Sequence, residues 1–196
     1  PEGGIRELSG GRTKEMPNLR QFHIARDPSL RIVSFDFSQI ENRMLAYLSG
    51  DAFSMEVFNS GKKPHRLMAA AIYNKGYDEV TESEYYRGKK TVHGTGYGET
   101  PEHLAVEIFG RRDAGTVAEA RRLQAAYFRI CPGIKTFQDN ISRQLDRGNL
   151  TLRNPFGRTR KVYAPNSHER KKRGVHFMGC STAADLVNER AIGLWE

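Results

Sequence analysis

The sequence predicts a helix-rich α+β chain. Two observations carry this reading. Apolar residues recur at helical spacing through most of the 196 residues, between recognisable caps and glycine or proline stops. Only two places read as strands: residues 31–36, and the pair 150–153 and 158–163 around a turn.

Taken in order, Arg31-Ile32-Val33-Ser34-Phe35 is an apolar β-run ending in Asp36. Over 39–49, Ile40, Met44, Leu45 and Leu48 share a helical face that Gly50 stops. Asp51 reads as the N-cap of a helix near 52–60, and Pro64 opens another over about 65–74. Thr81 with Glu84 makes a capping box at the head of a fourth helix. Pro101 starts a short helix that ends at Gly110; a longer one covers 116–130 up to Pro132-Gly133, and another covers 134–147 up to Gly148. Asn154-Pro155-Phe156-Gly157 is a hairpin-like turn between the two later strands, and a last helix begins near 168. No internal repeat or low-complexity linker is visible.

Composition narrows the function classes. With 38% hydrophobic residues the chain can bury a core, as one domain or two small ones. The 31 Lys and Arg outnumber 23 Asp and Glu, giving a formal charge of +8 and a pI near 9.6, which favours a polyanionic partner. Cys131 and Cys180 are too few and too far apart for a zinc site or a disulfide framework, so a reducing, intracellular setting, cytoplasmic or host-cytoplasmic, is expected. No apolar run reaches the roughly 18 to 20 residues of a membrane span, so no membrane partner is expected.

Two segments carry chemistry. A carboxylate where a buried strand meets a helix is held rigidly enough to meet a metal, which makes Asp36 the first candidate ligand. On the fourth helix, Lys89, His93 and Tyr97 fall at i, i+4 and i+8 and line one face. Gly94 and Gly98 lie beside that face, where absent side chains would let a flat base or sugar approach. Each helical glycine costs about 1 kcal/mol relative to alanine, so Gly88, Gly94, Gly96 and Gly98, all in this stretch, require another reason. The alternative is a glycine-loosened surface helix whose Lys89 is merely solvated.

Asp36-Phe37-Ser38-Gln39-Ile40-Glu41 closely resembles the first signature motif of family A DNA polymerases, the group of bacterial DNA polymerase I. Lys89, His93, Gly94, Tyr97 and Gly98 match the second motif, and the resemblance covers most of the chain. It implies a palm portion over 1–50, helical fingers over 51–148 and a return to the palm over 149–196. It implies that Asp36, with Phe37 beside it, holds two Mg2+ ions, and that Lys89 contacts the triphosphate and protonates pyrophosphate. Gln39, Glu41, His65, His93 and Tyr97 would meet the incoming nucleotide, with Glu41 filling the space of a ribose 2′-hydroxyl and hydrogen-bonded to Tyr97. Tyr97 would also stack near the templating position. Arg12, ahead of Pro17-Asn18-Leu19, would read the primer–template minor groove, whose acceptors are common to all base pairs. Gly98, Arg158, Arg160, His176 and Cys180 would lie against DNA, with the basic run 168–173 in the same approach. Ser181-Thr182-Ala183-Ala184-Asp185 resembles a packing motif of the family, in which Asp185 is structural.

The departures are specific. Tyr85 stands where the family has an arginine, and Arg87 lies about 200° around the helix from Lys89, so it does not substitute. His93 replaces the usual Phe or Tyr, Lys63 replaces an acid ahead of His65, and His176 and Cys180 replace Asn and Gln. No His-Asp pair of the third motif occurs, so the chain is expected to be catalytically incomplete, with either missing sequence or a further polypeptide supplying that motif. The implied activity is template-directed extension of a primer by deoxynucleoside triphosphates. The rivals are a single-subunit RNA polymerase, opposed by Glu41, and a non-catalytic primer–template-binding module.

Overall fold

A computed structural model describes residues 5–8, 12–15, 22–32 and 36–193, in two compact units, Pro1–Ser38 and Gln39–Glu196. In the first unit, strands β1 (Ile5–Leu8) and β2 (Arg12–Glu15) pair antiparallel with Ile5 opposite Glu15 and Leu8 opposite Arg12. The centre of the strand expected over 31–36 lies outside the described residues, and Arg31, Ile32 and Asp36 on either side are in no strand.

The second unit is helical apart from one hairpin: α1 (Ile40–Ser49), α2 (Ala52–Asn59), α3 (Pro64–Tyr73), α4 (Glu82–Gly96), α5 (Pro101–Phe109), α6 (Ala114–Ile130), α7 (Pro132–Asp146), β3 (Thr151–Arg153), β4 (Thr159–Lys161) and α8 (Ser167–Gly193). A 3-10 turn, Tyr77–Glu79, that the sequence pattern does not announce precedes α4. The helices begin where side chains satisfy their open N–H groups. Asp51 accepts from Ser54 N at 2.8 Å, and Thr81 and Glu84 form the expected capping box. Asp113 and Thr116 form another, so α6 starts two residues earlier than its apolar pattern suggests. Pro132 marks two boundaries: α6 ends at Ile130, as expected, with Cys131 before the proline held out of the helical region (φ −122°, ψ 64°), and Pro132 is itself the first residue of α7, a position that has no use for an N–H.

The core runs through Leu45, Met68, Val92, Leu123, Tyr127, Ile134, Leu145 and Val175, all nearly inaccessible. Its helix pairs are α3 with α4, α5 with α6, and α8 with both α1 and α7. The glycines of α4 are explained by these contacts. A methyl group at Gly88 would lie 2.7 Å from Ala69 Cβ on α3, and one at Gly96 would lie 2.8 Å from Leu45 on α1. The end of α4 is fixed from two sides. Gln138 Nε2 of α7 donates to the carbonyls of Thr95 (2.7 Å) and Gly96 (2.8 Å), and Gln124 Nε2 of α6 donates to Glu99 O (2.8 Å). Buried carbonyls without such donors would be costly, so α4 delivers Tyr97 to a defined place.

Candidate nucleotide and nucleic-acid site

At the head of α1, Gln39 takes a left-handed conformation (φ 56°, ψ 33°), which for a non-glycine residue costs on the order of 1–3 kcal/mol and concentrates at functional sites. Its Oε1 lies 2.7 Å from His65 Nε2 in the first turn of α3 and also accepts from Asn42 Nδ2 at 3.3 Å. That pair assigns the imidazole proton to Nε2 and leaves Nδ1 as a buried lone pair without a partner. Burial, with the charges of Lys89 and His93 adding, holds the His65 pKa down at about 4. His65 is therefore a neutral ring at pH 7, near enough to Lys89 and His93 for their charges to act on it.

Lys89 is exposed and has no carboxylate partner among the described residues, whereas its neighbour Lys90 is paired with Glu107 at 2.9 Å. His93 is exposed, lines a cleft of about 200 Å³ with Glu99, His103 and Glu107, and meets the Tyr97 ring edge-on at 5.4 Å. Tyr97 is 2% exposed, and its ring stacks on His176 of α8 with centroids 4.6 Å apart and planes 28° apart. Burial first, then Cys180 and Glu41, push its phenol well above the ordinary value. The structure thus gathers His93, Tyr97, His176 and Cys180 where α4 meets α8. Burial keeps His176 neutral by lowering its pKa and keeps the Cys180 thiol protonated by raising its own.

Several expectations need correction. The hydrogen bond expected between Tyr97 and Glu41 is not made among the described residues: Glu41 is exposed, and the buried Tyr97 hydroxyl has the Cys180 thiol as its polar neighbour. Gly94 is not an opening for a ligand, because a methyl group there would meet Leu104 of α5 at 3.1 Å. Gly98 (φ 80°) is buried, 3.8 Å from the Lys172 backbone measured from an added Cβ. Arg158 is not a free phosphate ligand. Its guanidinium grips Asp185 through Nη2 (2.5 Å) and Nε (3.1 Å), and Asn154 joins Asp185 and Ser181, pinning the hairpin to α8. Asp185 is structural, as its motif implies. The basic run on α8 is largely neutralised by its own chain: Arg170 pairs with Asp146, Lys171 with Asp139, Lys172 with Glu99 and Arg173 with Glu169.

Arg87 stacks on Phe109 at 5.2 Å, on the α5 side, in keeping with its angle from Lys89. Tyr85 carries the Arg66 guanidinium at 5.6 Å, which Val80 O and Glu82 also hold. Arg160 is exposed. Asp36 and Phe37 are exposed in the first unit, where Arg12 belongs to β2. Among the described residues, no group of three or more His, Cys, Asp or Glu could hold a metal ion, so Asp36 has no assembled set of carboxylates around it. Sequence reasoning passed over Gln138, Gln124 and Asn154, the buried amides that fix the site's frame.

The helical unit thus combines the exposed Lys89, the neutral ring of His65 and a buried tyrosine stacked on His176. The family model for DNA polymerase family A matches residues 7–192, and the chain belongs to that family. DNA polymerase I of Lactococcus lactis is 31% identical over 192 residues, covering 93% of this chain and 21% of the relative. DNA polymerase I of Geobacillus stearothermophilus is 30% identical over 134 residues, covering 68% of this chain and 15% of the relative. Among solved structures, the POL domain of Pol1 from M. smegmatis in complex with DNA primer-template and dNTP superposes with a TM-score of 0.68 at 24% identity, covering 93% of this chain and 35% of that one. The chain spans about a fifth of the length of the first of these relatives. No described helix is long and apolar enough to cross a membrane.

Proposed function

We propose that the chain is the nucleotide-selecting portion of a template-directed DNA polymerase, with residues 1–50 in the palm, 51–148 in the fingers and 149–196 returning to the palm. The observation that carries this reading is the grouping of Lys89, which has no carboxylate partner among the described residues, with neutral His65 and exposed His93, the lysine's charge felt at His65. Lys89 would neutralise the triphosphate of a deoxynucleotide and donate a proton to departing pyrophosphate. His65, oriented by Gln39, would present its ring to the same phosphates, and His93 would lie under the sugar. Glu41, exposed at the start of α1, would occupy the space of a 2′-hydroxyl. Tyr97, His176 and Cys180 would line the path of the primer–template, joined by Arg12 and Arg160.

Asp36 and the Phe37 carbonyl would supply part of a Mg2+ site, where the metal would polarise the phosphate and activate the primer 3′-hydroxyl. A single carboxylate does not complete such a site, so a further polypeptide segment is proposed to bring the second aspartate. The same observation favours a second reading, a non-catalytic primer–template-binding module. Primer extension separates the two. The 196-residue chain alone is expected to bind primer–template DNA without extending it, and to extend it when a polypeptide with the family's third motif is added. Binding with no extension under any such addition would favour the module, and extension by the chain alone would refute the incomplete metal site.

A further inference from the structure

The basic residues of the return segment divide sharply by partner. Every cation of the run 170–173 faces a carboxylate of its own chain, and Arg158 is locked on Asp185. Among the described residues, no carboxylate pairs with Arg153 or Lys161. We propose that the outer face of the β3–β4 hairpin is a phosphate-binding surface for one strand of DNA, with Arg153 and Lys161 as its ligands and Arg158 as its structural anchor. The proposal rests on the polymerase reading above and adds residues to it.

The hairpin register shows how the surface is built. Thr151 lies opposite Lys161, Leu152 opposite Arg160, and Arg153 opposite Thr159. Leu152 and the following Val162 are buried, at 3% and 1% exposure, so the alternating positions Thr151, Arg153, Thr159 and Lys161 share the outward face, and all four are exposed. Arg153 and Lys161 are diagonal neighbours on it, about 7–8 Å apart by sheet geometry, with a threonine hydroxyl opposite each as a neutral donor. Tyr163, two residues past Lys161, is 62% exposed and offers a flat ring at the rim.

Two cations on adjacent strands repel each other, and no carboxylate among the described residues pairs with either. A sugar–phosphate strand would offset that repulsion. The surface is also rigid, because buried Asn154 accepts from Arg158 N (2.9 Å) and donates to Ser181 and Asp185, so the turn cannot swing away from α8. A nucleic-acid ligand gains from such prior order. Arg158, which the sequence alone nominates for this role, spends its charge on holding the turn.

The experiment is the salt dependence of primer–template binding, followed by fluorescence anisotropy with labelled DNA. Each phosphate neutralised contributes about 0.9 to the slope of log K against log salt for duplex and about 0.7 for single strand. The double variant Arg153→Gln with Lys161→Gln should lower the slope by about 1.4–1.8. The charge-preserving pair Arg153→Lys with Lys161→Arg should restore the unaltered slope, which separates lost charge from a damaged fold. An unchanged slope in the double variant, while the unaltered chain still binds with salt sensitivity, would overturn this surface and leave the polymerase reading standing. Absence of any salt-dependent binding by the unaltered chain would overturn that reading and this surface with it.

Discussion

Replacing Gln138 tests whether the frame around Tyr97 is built as described. Gln138 is 1% exposed on α7, and its Nε2 is the donor to Gly96 O (2.8 Å) as well as a second donor to Thr95 O (2.7 Å), which also receives Gly98 N–H at 3.0 Å. Gln138→Leu keeps the volume and removes both bonds. One carbonyl then loses a partner it has no means to replace, at about 1–3 kcal/mol, and the other loses one of two bonds, at about 0.5–1.5 kcal/mol. The leucine's added apolar burial offsets part of this, leaving a loss of about 2 kcal/mol. With a urea m-value of about 2 kcal/mol/M, the midpoint should fall by about 1 M at unchanged slope. Gln138→Glu should be worse at neutral pH, because a carboxylate then faces two carbonyl oxygens, and should recover relative to the unaltered chain in acid, where the protonated group can donate again. A Gln138→Leu midpoint within about 0.2 M of the unaltered chain would refute the reasoning, as would a Gln138→Glu deficit that does not shrink in acid.

Gly88→Ala should destabilise by about 1–3 kcal/mol, the range of an overpacked core, since its methyl would meet Ala69 Cβ at 2.7 Å; a calorimetric melt unchanged from that of the unaltered chain would argue against the α3–α4 contact. The His65 pKa, depressed from 6.5 to about 4, means that the unfolded chain takes up a proton below about 6.5 that the folded chain refuses until about 4. Stability should therefore fall as pH falls through that window, by up to about 3 kcal/mol from this group, and denaturant titrations of His65→Gln should show a shallower loss. In the completed enzyme, Glu41→Ala should raise ribonucleotide use relative to deoxynucleotide, a clash of about 1–3 kcal/mol; an unchanged ratio in single-turnover assays would remove Glu41 from the gate.

The helices were legible because their ends are local chemistry. Asp51, Thr81 and Thr100 each cap within three residues, and Gly50 and Gly110 close their helices in left-handed conformations. The misplacements have local causes too. The Asp113–Thr116 box extends α6 beyond its apolar stripe, and Pro132 serves the following helix. The β1–β2 hairpin flanks Gly10-Gly11, a turn signal present in the sequence but set between strands with little apolar alternation. Gln138 was readable as an oddity, since it shares the buried face of α7 with Ile134, Ile141 and Leu145; a polar residue there needs a buried partner.

The site was legible as far as helical spacing reaches and no further. The i, i+4, i+8 pattern places Lys89, His93 and Tyr97 on one face, yet that face runs from solvent at Lys89 to the core at Tyr97, because the last turn of α4 dives under α8. Which cations remain available is still less visible in sequence, since it depends on acids brought from elsewhere in the chain. Lys89 and Lys90 are neighbours, but about 100° of helical rotation turns Lys90 toward Glu107 on α5 and leaves Lys89 without a carboxylate partner among the described residues. Arg158 and Arg160 flank one threonine, and Asp185, 27 residues from Arg158, claims only the first. A net charge of +8 therefore states only that a polyanion is welcome. The fold decides where it can be met, by consuming most of the α8 cluster in internal pairs and leaving Lys89 on one helix and the outward hairpin face with positive charge that no carboxylate among the described residues pairs with.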